Sequence, residues 1–245
     1  MRDPGSSPQQ SRSPLSLGER RVVAATLAAY RQGAFPMCVH PSREGVTDEL
    51  SWFEADPRGI MPLTEDEGWH CPRRLARTVR TARFDVTSDA DFISVVQGCA
   101  DPSRPGAWIG EPIIELFALL HRAGYAHSIE AWFIDDFDER HLVGGLYGLQ
   151  LGRVFCAEAM FSRPDLGGTD ASKVCLVHLV HHLRRQGFAV CDTQMWNEHL
   201  SQFGCVETRR EDYLELLDEH AHHDVPWQPF DADATRAELE RGDTE

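Results

Sequence analysis

A single carboxylate, Glu158, interrupts the second of two apolar runs in the middle of the chain. The runs flank a short turn at residues 150–152, a pattern that predicts a β-hairpin with buried strands. Glu158 stands between Phe155 and Met160, where loss of hydration would disfavour the charged carboxylate and make it a stronger base. The same pattern also fits an alternating strand that turns Glu158 towards water. Acid–base chemistry at this position is therefore one of two open hypotheses.

A second polar pair, Asp192 and Gln194, follows the apolar run 188–191. This run predicts a buried strand, and residues two apart at its carboxyl end lie on the same side. Strand ends are where open α/β sheets bind ligands, and an acid beside an amide can orient that amide. An Asp192 that caps a helix near Trp196 is an equally good local explanation.

Five arginines and no acidic residue occupy the stretch between His70 and Phe84. If this stretch is helical, the spacing 73, 77, 80 places three of them on one face. The candidate contacts to nucleic-acid phosphates are Arg73, Arg74, Arg77 and Arg80. An ordinary solvated helix is the alternative explanation of such a charge run.

The elements around these residues follow the order of an acetyltransferase-like core. Residues 128–133 alternate as a strand, and the central hairpin follows them. Asp170 is a candidate N-cap for a helix over residues 171–186, and the strand 188–191 closes the unit. This order predicts an α+β fold with a mixed sheet and flanking helices. The proline within residues 60–63 predicts that this strand lies at a sheet edge.

Composition limits the class of protein. A chain of 245 residues with 42% hydrophobic residues can bury a large core, as one large domain or two small ones. No apolar run reaches 18 residues and the N-terminus shows no signal-peptide core, so we expect a soluble cytoplasmic protein without a membrane partner. The seven cysteines form no C-x-x-C pair, which predicts reduced thiols rather than a disulfide framework.

The net charge of −15 is unusual for a protein that contacts nucleic acid. The charge is unevenly spread, because four basic and thirteen acidic residues lie between Cys205 and the C-terminus. Residues 218–245 therefore read as a loose acidic tail, with Trp227 and Phe230 as candidate anchors. Residues 1–14 are rich in Ser, Pro and Gln and are expected to be disordered.

Three histidines, His178, His181 and His182, have a spacing that can present imidazoles to a metal ion. No H-E-x-x-H pattern and no third ligand accompany them, so a polar helix face explains them better and we predict no metal site. The sequence also contains no G-x-S-x-G elbow and no P-loop, which gives no support to a serine hydrolase or a P-loop nucleotidase.

Several ordered and unusual motifs occur along residues 22–217. They are the hairpin 142–162, Asp170-Ala171-Ser172-Lys173, Cys191-Asp192-Thr193-Gln194, Tyr30-Arg31-Gln32-Gly33-Ala34-Phe35-Pro36-Met37, Asp56-Pro57-Arg58, Trp108-Ile109 and Ala126-His127-Ser128-Ile129-Glu130. Together they resemble the leucyl/phenylalanyl-tRNA–protein transferase family. The resemblance implies an acetyltransferase-like domain at residues 70–217, preceded by a small N-terminal α/β domain at residues 15–69.

The resemblance implies transfer of an aminoacyl group from aminoacyl-tRNA to the N-terminal α-amine of a protein that begins with Arg or Lys, which marks that protein for degradation. The ester on tRNA is already activated, so no cofactor or metal is expected. Glu158 aligns with the family's catalytic glutamate and Gln194 with its catalytic glutamine, and Asp192 is expected to orient the Gln194 amide. We expect the protein to act as a monomer.

The resemblance also implies an apolar pocket that suits Leu, Phe or Met. The residues around Glu158 that are candidates to line it are Leu146, Phe155 and Met160. Aromatic residues can stack on the terminal adenosine of tRNA, and each of them is otherwise a core aromatic. These candidates are Trp108, Trp52 and Phe53.

Departures from the family pattern bear on substrate preference more than on the reaction class. Ala159 replaces a serine beside Glu158, and Phe53 replaces a tryptophan. A rival hypothesis is an acyl-CoA-dependent acyltransferase, although Arg163 and the residues after it do not match the R/Q-x-x-G-x-G/A pyrophosphate loop. A second rival is a non-catalytic adaptor that binds protein N-termini.

Overall fold

A computed structural model describes residues 14–39, 48–102 and 107–242. Within these residues the helices are α1 (Leu17–Arg31), α2 (Arg73–Arg80), α3 (Phe92–Cys99), α4 (Glu111–Ala123), α5 (Ala171–Arg185), α6 (Glu198–Ser201), α7 (Arg210–His220) and α8 (Ala232–Gly242). The strands are β1 (Phe35–Val39), β2 (Glu49–Phe53), β3 (Arg58–Met61), β4 (Asp85–Ser88), β5 (Ala126–Ile134), β6 (Arg140–Leu151), β7 (Val154–Ser162), β8 (Val190–Gln194) and β9 (Val206–Thr208). The predicted disordered segment 1–14 lies outside the described residues, except for Pro14.

The main sheet has seven strands in the order β4-β5-β6-β7-β8-β3-β9, and β1 pairs with β2 in a separate small sheet. β7 and β8 run parallel and are joined by α5, whereas the other neighbours are antiparallel. Helices α1, α3, α4 and α7 contribute to one apolar core cluster, and α2, α5 and α8 contribute to the other. The predicted α+β fold with a mixed sheet and flanking helices is confirmed. No described helix is both long and apolar enough to cross a membrane.

The central hairpin is formed by β6 and β7, as predicted, but its register is interrupted beside Glu158. Tyr147 pairs with Ala159 and Gly148 pairs with Ala157, so Glu158 is the additional residue of a β-bulge. A bulge locally bends and twists its strand, and it can re-aim the side chain of the extra residue. The direction of the Glu158 side chain is therefore set by a local break in the strand alternation.

Two predicted strands are placed differently in the structure. β8 begins at Val190 rather than 188 and continues through Gln194, so Asp192 lies inside a strand instead of at a loop entry. β3 is not an edge strand, because it pairs with β8 on one side and with β9 on the other. Its Pro62 follows the last strand residue, where no ladder hydrogen bond is lost.

The C-terminal segment is packed rather than loose. The ring of Trp227 stacks on His127 with a centroid distance of 4.2 Å and lies 5.6 Å from the Phe155 ring. Helix α8 packs on α2 and α5, and its Glu238 pairs with His181 at 2.6 Å. Apolar anchors and ion pairs therefore hold a segment whose composition alone suggested a tail. The predicted anchor residues Trp227 and Phe230 are confirmed.

Gly148 offers a test of the bulge. A Cβ atom at this position would overlap the carbonyl oxygen of Cys156 and the ring of Phe155. We expect Gly148→Ala to lower the free energy of unfolding by about 2 kcal/mol, because the bulge must shift to accommodate the methyl group. The control is Gly18→Ala in α1, where the nearest neighbour is 4.0 Å away. Urea unfolding of both variants measures the difference, and equal stabilities would contradict the assigned register.

Candidate active site

A cavity of about 790 Å³ opens between α3, the hairpin, the start of α5 and the residues after β8. One part of its wall is apolar and includes Leu146, Met160 and Leu176. Another part is polar and is lined by Ser162, Arg163, Ser172, Thr193, Asn197 and His199. Glu158 is also part of the lining, so it borders a space that can hold both an apolar group and a polar one.

Burial raises the pKa of Glu158 from 4.5 to about 8. Three charged or polar neighbours modify this effect. The hydroxyl of Tyr30 donates a hydrogen bond to Glu158 Oε1 at 2.8 Å and lowers the pKa, the charge of Asp192 raises it, and the charge of Arg58 lowers it. With a pKa near 8, the Glu158 carboxyl group is mainly protonated at pH 7 in the unliganded protein.

Gln194 contacts Glu158 from β8. Its backbone lies in the left-handed region with φ +56°, which residues with a side chain seldom adopt. In one orientation of the side-chain amide, Nε2 donates to Glu158 Oε1 at 3.3 Å. In the flipped orientation, the amide nitrogen donates to the carbonyls of Ala157 at 2.9 Å and Thr193 at 3.0 Å. The flipped amide turns its oxygen towards Glu158, and this arrangement suits a protonated Glu158.

Asp192 acts on the main chain of Gln194 rather than on its side-chain amide, which corrects the predicted contact. Asp192 Oδ1 accepts the backbone N–H of Gln194 at 2.8 Å. The carboxylate is fully buried and forms a salt bridge with Arg58, with Nη2 2.6 Å from Oδ2. The charge of Asp192 is therefore balanced inside the protein, and its geometry fixes the turn of chain that carries Gln194.

Two of the three predicted aminoacyl-pocket residues line the cavity. Leu146 and Met160 line the cavity, as does Trp108. Phe155 does not line it, because it is fully buried in the core cluster that packs around Trp227. Phe155 pairs with Gln150 beside the hairpin turn, so it lies on the same face of the sheet as Leu146 and Met160 but outside the cavity lining.

The other two predicted aromatic contacts lie outside the cavity lining. Trp52 packs edge to face on Tyr30 with a centroid distance of 6.1 Å, and 41% of it is exposed. Phe53 is exposed on the small sheet, where it pairs with Phe35. Trp52 therefore contacts Tyr30, which in turn contacts Glu158. Phe53 has no such ring contact with Tyr30 among the described residues.

The predicted phosphate contacts lie along α2. Arg73, Arg74 and Arg77 are exposed, and Arg80 is half-buried. Beyond the helix, Arg83 donates to the carbonyl oxygen of Gly167 at 3.1 Å, in the loop that precedes α5. Arg163 in the cavity wall belongs to the same loop region, since Gly168 N donates to its carbonyl oxygen. Arginines thus occur along α2, in the loop before α5 and at the cavity.

Sequence reasoning missed two residues that contact this site, Tyr30 and Arg58. Both belong to motifs that carry the family resemblance, so the signal was present without an assigned role. The histidines of α5 face the C-terminal segment, where His178 and His182 pack near Phe230. Among the described residues, the group that could hold a metal ion is Asp135, Glu139 and His141, outside the cavity lining.

The amino-acid sequence was compared with protein-family models and with curated proteins. The model of the family described as leucyl/phenylalanyl-tRNA protein transferase matches residues 62–218. A leucyl/phenylalanyl-tRNA–protein transferase of Paramagnetospirillum magneticum is 45% identical over 213 residues, which covers 86% of this chain and 93% of the relative. The matched region contains Glu158, Asp192 and Gln194.

The raised pKa of Glu158 predicts a pH-dependent stability. The folded state favours the protonated group, so its stabilising effect is complete below pH 4.5 and is lost as the pH rises through 8. Glutamine does not titrate. Between pH 4.5 and 8.5, we expect Glu158→Gln to gain stability relative to the wild type by on the order of 4 kcal/mol. Urea unfolding across this range measures the change. A stability difference between Glu158→Gln and the wild type that stays constant over this range would exclude the raised pKa.

Proposed function

The chain belongs to the leucyl/phenylalanyl-tRNA protein transferase family and is an aminoacyltransferase, and on that premise we propose its donor, its acceptor and its catalytic residues. It transfers a leucyl, phenylalanyl or methionyl group from aminoacyl-tRNA to the α-amine of proteins that begin with Arg or Lys, which marks them for degradation. The observation that carries this proposal is a buried carboxyl group, Glu158, between Tyr30 and Gln194 on the wall of a partly apolar cavity.

The similar pKa values of Glu158 and an α-ammonium group support Glu158 as the base. An α-ammonium group has a pKa near 8, which is close to the pKa of about 8 for Glu158. Transfer of a proton from the acceptor to a Glu158 carboxylate is therefore nearly neutral in free energy. The neutral amine attacks the ester carbonyl, a C–N bond forms and the C–O bond to tRNA breaks. Glu158 passes its proton to the departing ribose oxygen and then takes the second proton from the attacking nitrogen, which becomes the amide N–H; this proton is finally released to solvent.

Gln194 holds the attacking amine. When its amide nitrogen is engaged by the carbonyls of Ala157 and Thr193, its oxygen remains to accept an N–H of the amine. Attack then starts from a fixed position, which lowers the entropic part of the barrier. Asp192 serves this role indirectly, through the backbone of Gln194.

The cavity is larger than a leucine or phenylalanine side chain requires, which leaves space for the terminal nucleoside. Leu146 and Met160 receive the aminoacyl side chain, and Trp108 stacks on the adenine. An apolar pocket discriminates by about 1–3 kcal/mol per methylene group, so overlap among Leu, Phe and Met donors is expected. Asp101 is an acidic residue among the described residues of the lining and is our candidate partner for the acceptor's basic side chain.

The arginines that lie between the cavity and α2 contact the phosphates of the remaining donor tRNA. From the cavity, Arg163 and Arg83 lead towards α2, which presents Arg73, Arg74 and Arg77 to solvent. A net charge of −15 makes binding depend on this local basic surface rather than on the whole protein. We place the protein in the cytoplasm as a monomer, and its seven free cysteines agree with a reducing compartment.

The direct test supplies purified protein with leucyl-, phenylalanyl- and methionyl-tRNA and with peptides that begin with Arg, Lys or Asp. We expect labelled amino acid to reach the Arg and Lys peptides, and kcat to fall about 10²–10⁴-fold in Glu158→Gln because the base is lost. Glu65→Gln should retain the wild-type rate. No transfer with intact charged tRNA would reject the reaction, and tight binding of coenzyme A would favour a different acyl donor.

The tRNA path is tested by charge removal on α2. Replacing Arg73 and Arg77 by glutamine should raise KM for aminoacyl-tRNA about tenfold at moderate salt. It should also reduce the slope of log K against log salt by about 1.5, because two phosphate contacts are lost. The control double variant replaces Arg21 and Arg31, two exposed arginines of α1, with the same change in charge. Equal KM values for the two double variants would contradict the proposed path.

A further inference from the structure

Arg58 is a fully engaged cation inside the protein, with 1% of its side chain exposed. Its Nε and Nη2 donate to the two oxygens of Asp192 at 2.8 and 2.6 Å. Its Nη1 donates to the carbonyl oxygen of Gly33 at 2.9 Å. The guanidinium also lies over the rings of Phe35 and Tyr213, at 4.9 and 4.5 Å from their centroids. One side chain thus connects three separate parts of the chain.

The connection to Asp192 leads to Gln194. Asp192 accepts the backbone N–H of Gln194, whose left-handed backbone conformation is unfavourable for a residue with a side chain. The bidentate contact with Arg58 fixes the plane of the Asp192 carboxylate and leaves lone pairs for Gln194 N–H and the Tyr213 hydroxyl. The orientation of Asp192, and with it the position of Gln194, depends on Arg58.

The connection to Gly33 leads to Tyr30. Gly33 follows α1 with φ +82°, and its N–H donates to the carbonyl oxygen of Tyr30 at 2.9 Å. The turn that Arg58 holds is therefore the one that ends the helix presenting the Tyr30 hydroxyl to Glu158. Tyr30 and Gln194 approach the same oxygen atom of Glu158 from these two supports.

We propose that Arg58 is a positioning residue for aminoacyl transfer, which sets the spacing between Tyr30 and Gln194 around the Glu158 carboxyl group. It acts through Asp192 and Gly33 and touches no substrate. The proposal rests on the proposed function. A lysine could not replace it, because an ammonium group cannot form a planar bidentate contact and reach the Gly33 carbonyl at the same time.

The test compares Arg58→Lys with Arg210→Lys. Arg210 is a matched control, since it contacts the same turn from the surface through Gln32 O at 3.2 Å and pairs with Glu54 at 2.9 Å. For Arg58→Lys we expect kcat to fall about 30–100-fold, with KM for aminoacyl-tRNA within about threefold of the wild type. We also expect the pKa of Glu158, measured by carbon-13 NMR of labelled glutamate, to rise because the Tyr30 hydrogen bond weakens. Arg210→Lys should change neither quantity.

A folded Arg58→Lys protein with wild-type kcat, or with reduced kcat but an unchanged Glu158 pKa, would overturn the proposal. If this variant does not fold, the double variant Arg58→Met with Asp192→Asn removes both charges together and avoids an unpaired buried ion. It should fold and show at least a tenfold lower kcat, whereas a wild-type rate would overturn the proposal. If the wild type itself transfers nothing, the proposed function fails, and the NMR titration still reports on Arg58.

Discussion

The site depends on a carboxyl group that is withdrawn from water without being neutralised by a cation. Burial raises the pKa of Glu158 to about 8, and a direct arginine or lysine contact would reverse that effect. The nearby positive charge, Arg58, is instead paired with Asp192 at 2.6 Å. Because Arg58 pairs with Asp192, Glu158 remains able to hold a proton near neutral pH. The two acidic residues therefore differ in role because their environments differ.

The supports of this carboxyl group come from distant parts of the sequence. Tyr30 is 128 residues from Glu158 and Gln194 is 36 residues away, and each arrives on a different element, α1 and β8. The bulge in β7 turns Glu158 towards them, and a glycine opposite the bulge makes room for it. Such a site forms only when the whole sheet and α1 are in place, so its geometry is a property of the complete fold.

Sequence patterns predicted those features that local chemistry controls. The hairpin, the helix after Asp170 and the arginine helix follow from periodicity and turn residues, and the structure contains all three. The bulge at Glu158 was not predictable, because one extra residue leaves no signature in an apolar run. Phe155 was assigned to the pocket because it is close to Glu158 in sequence, whereas the docked C-terminal segment buries it. The partner of Asp192 and the docking of Trp227 depend on contacts across long sequence separations, which periodicity does not encode.

The pKa of Glu158 also determines how much free energy the deprotonation of each kind of amine costs. A lysine side chain has a pKa near 10.4, whereas an α-amine has one near 8. Proton transfer to a group with a pKa of about 8 is nearly neutral for an α-ammonium and costs about 3 kcal/mol for a lysine ammonium. In the proposed reaction this difference favours the α-amine by roughly a hundredfold before any shape recognition. A base with an ordinary glutamate pKa would deprotonate both amines less readily, because its pKa lies well below that of either amine. The preference for the α-amine comes from the pKa values of the two amines, and burial of Glu158 makes proton transfer from the preferred one nearly neutral in free energy.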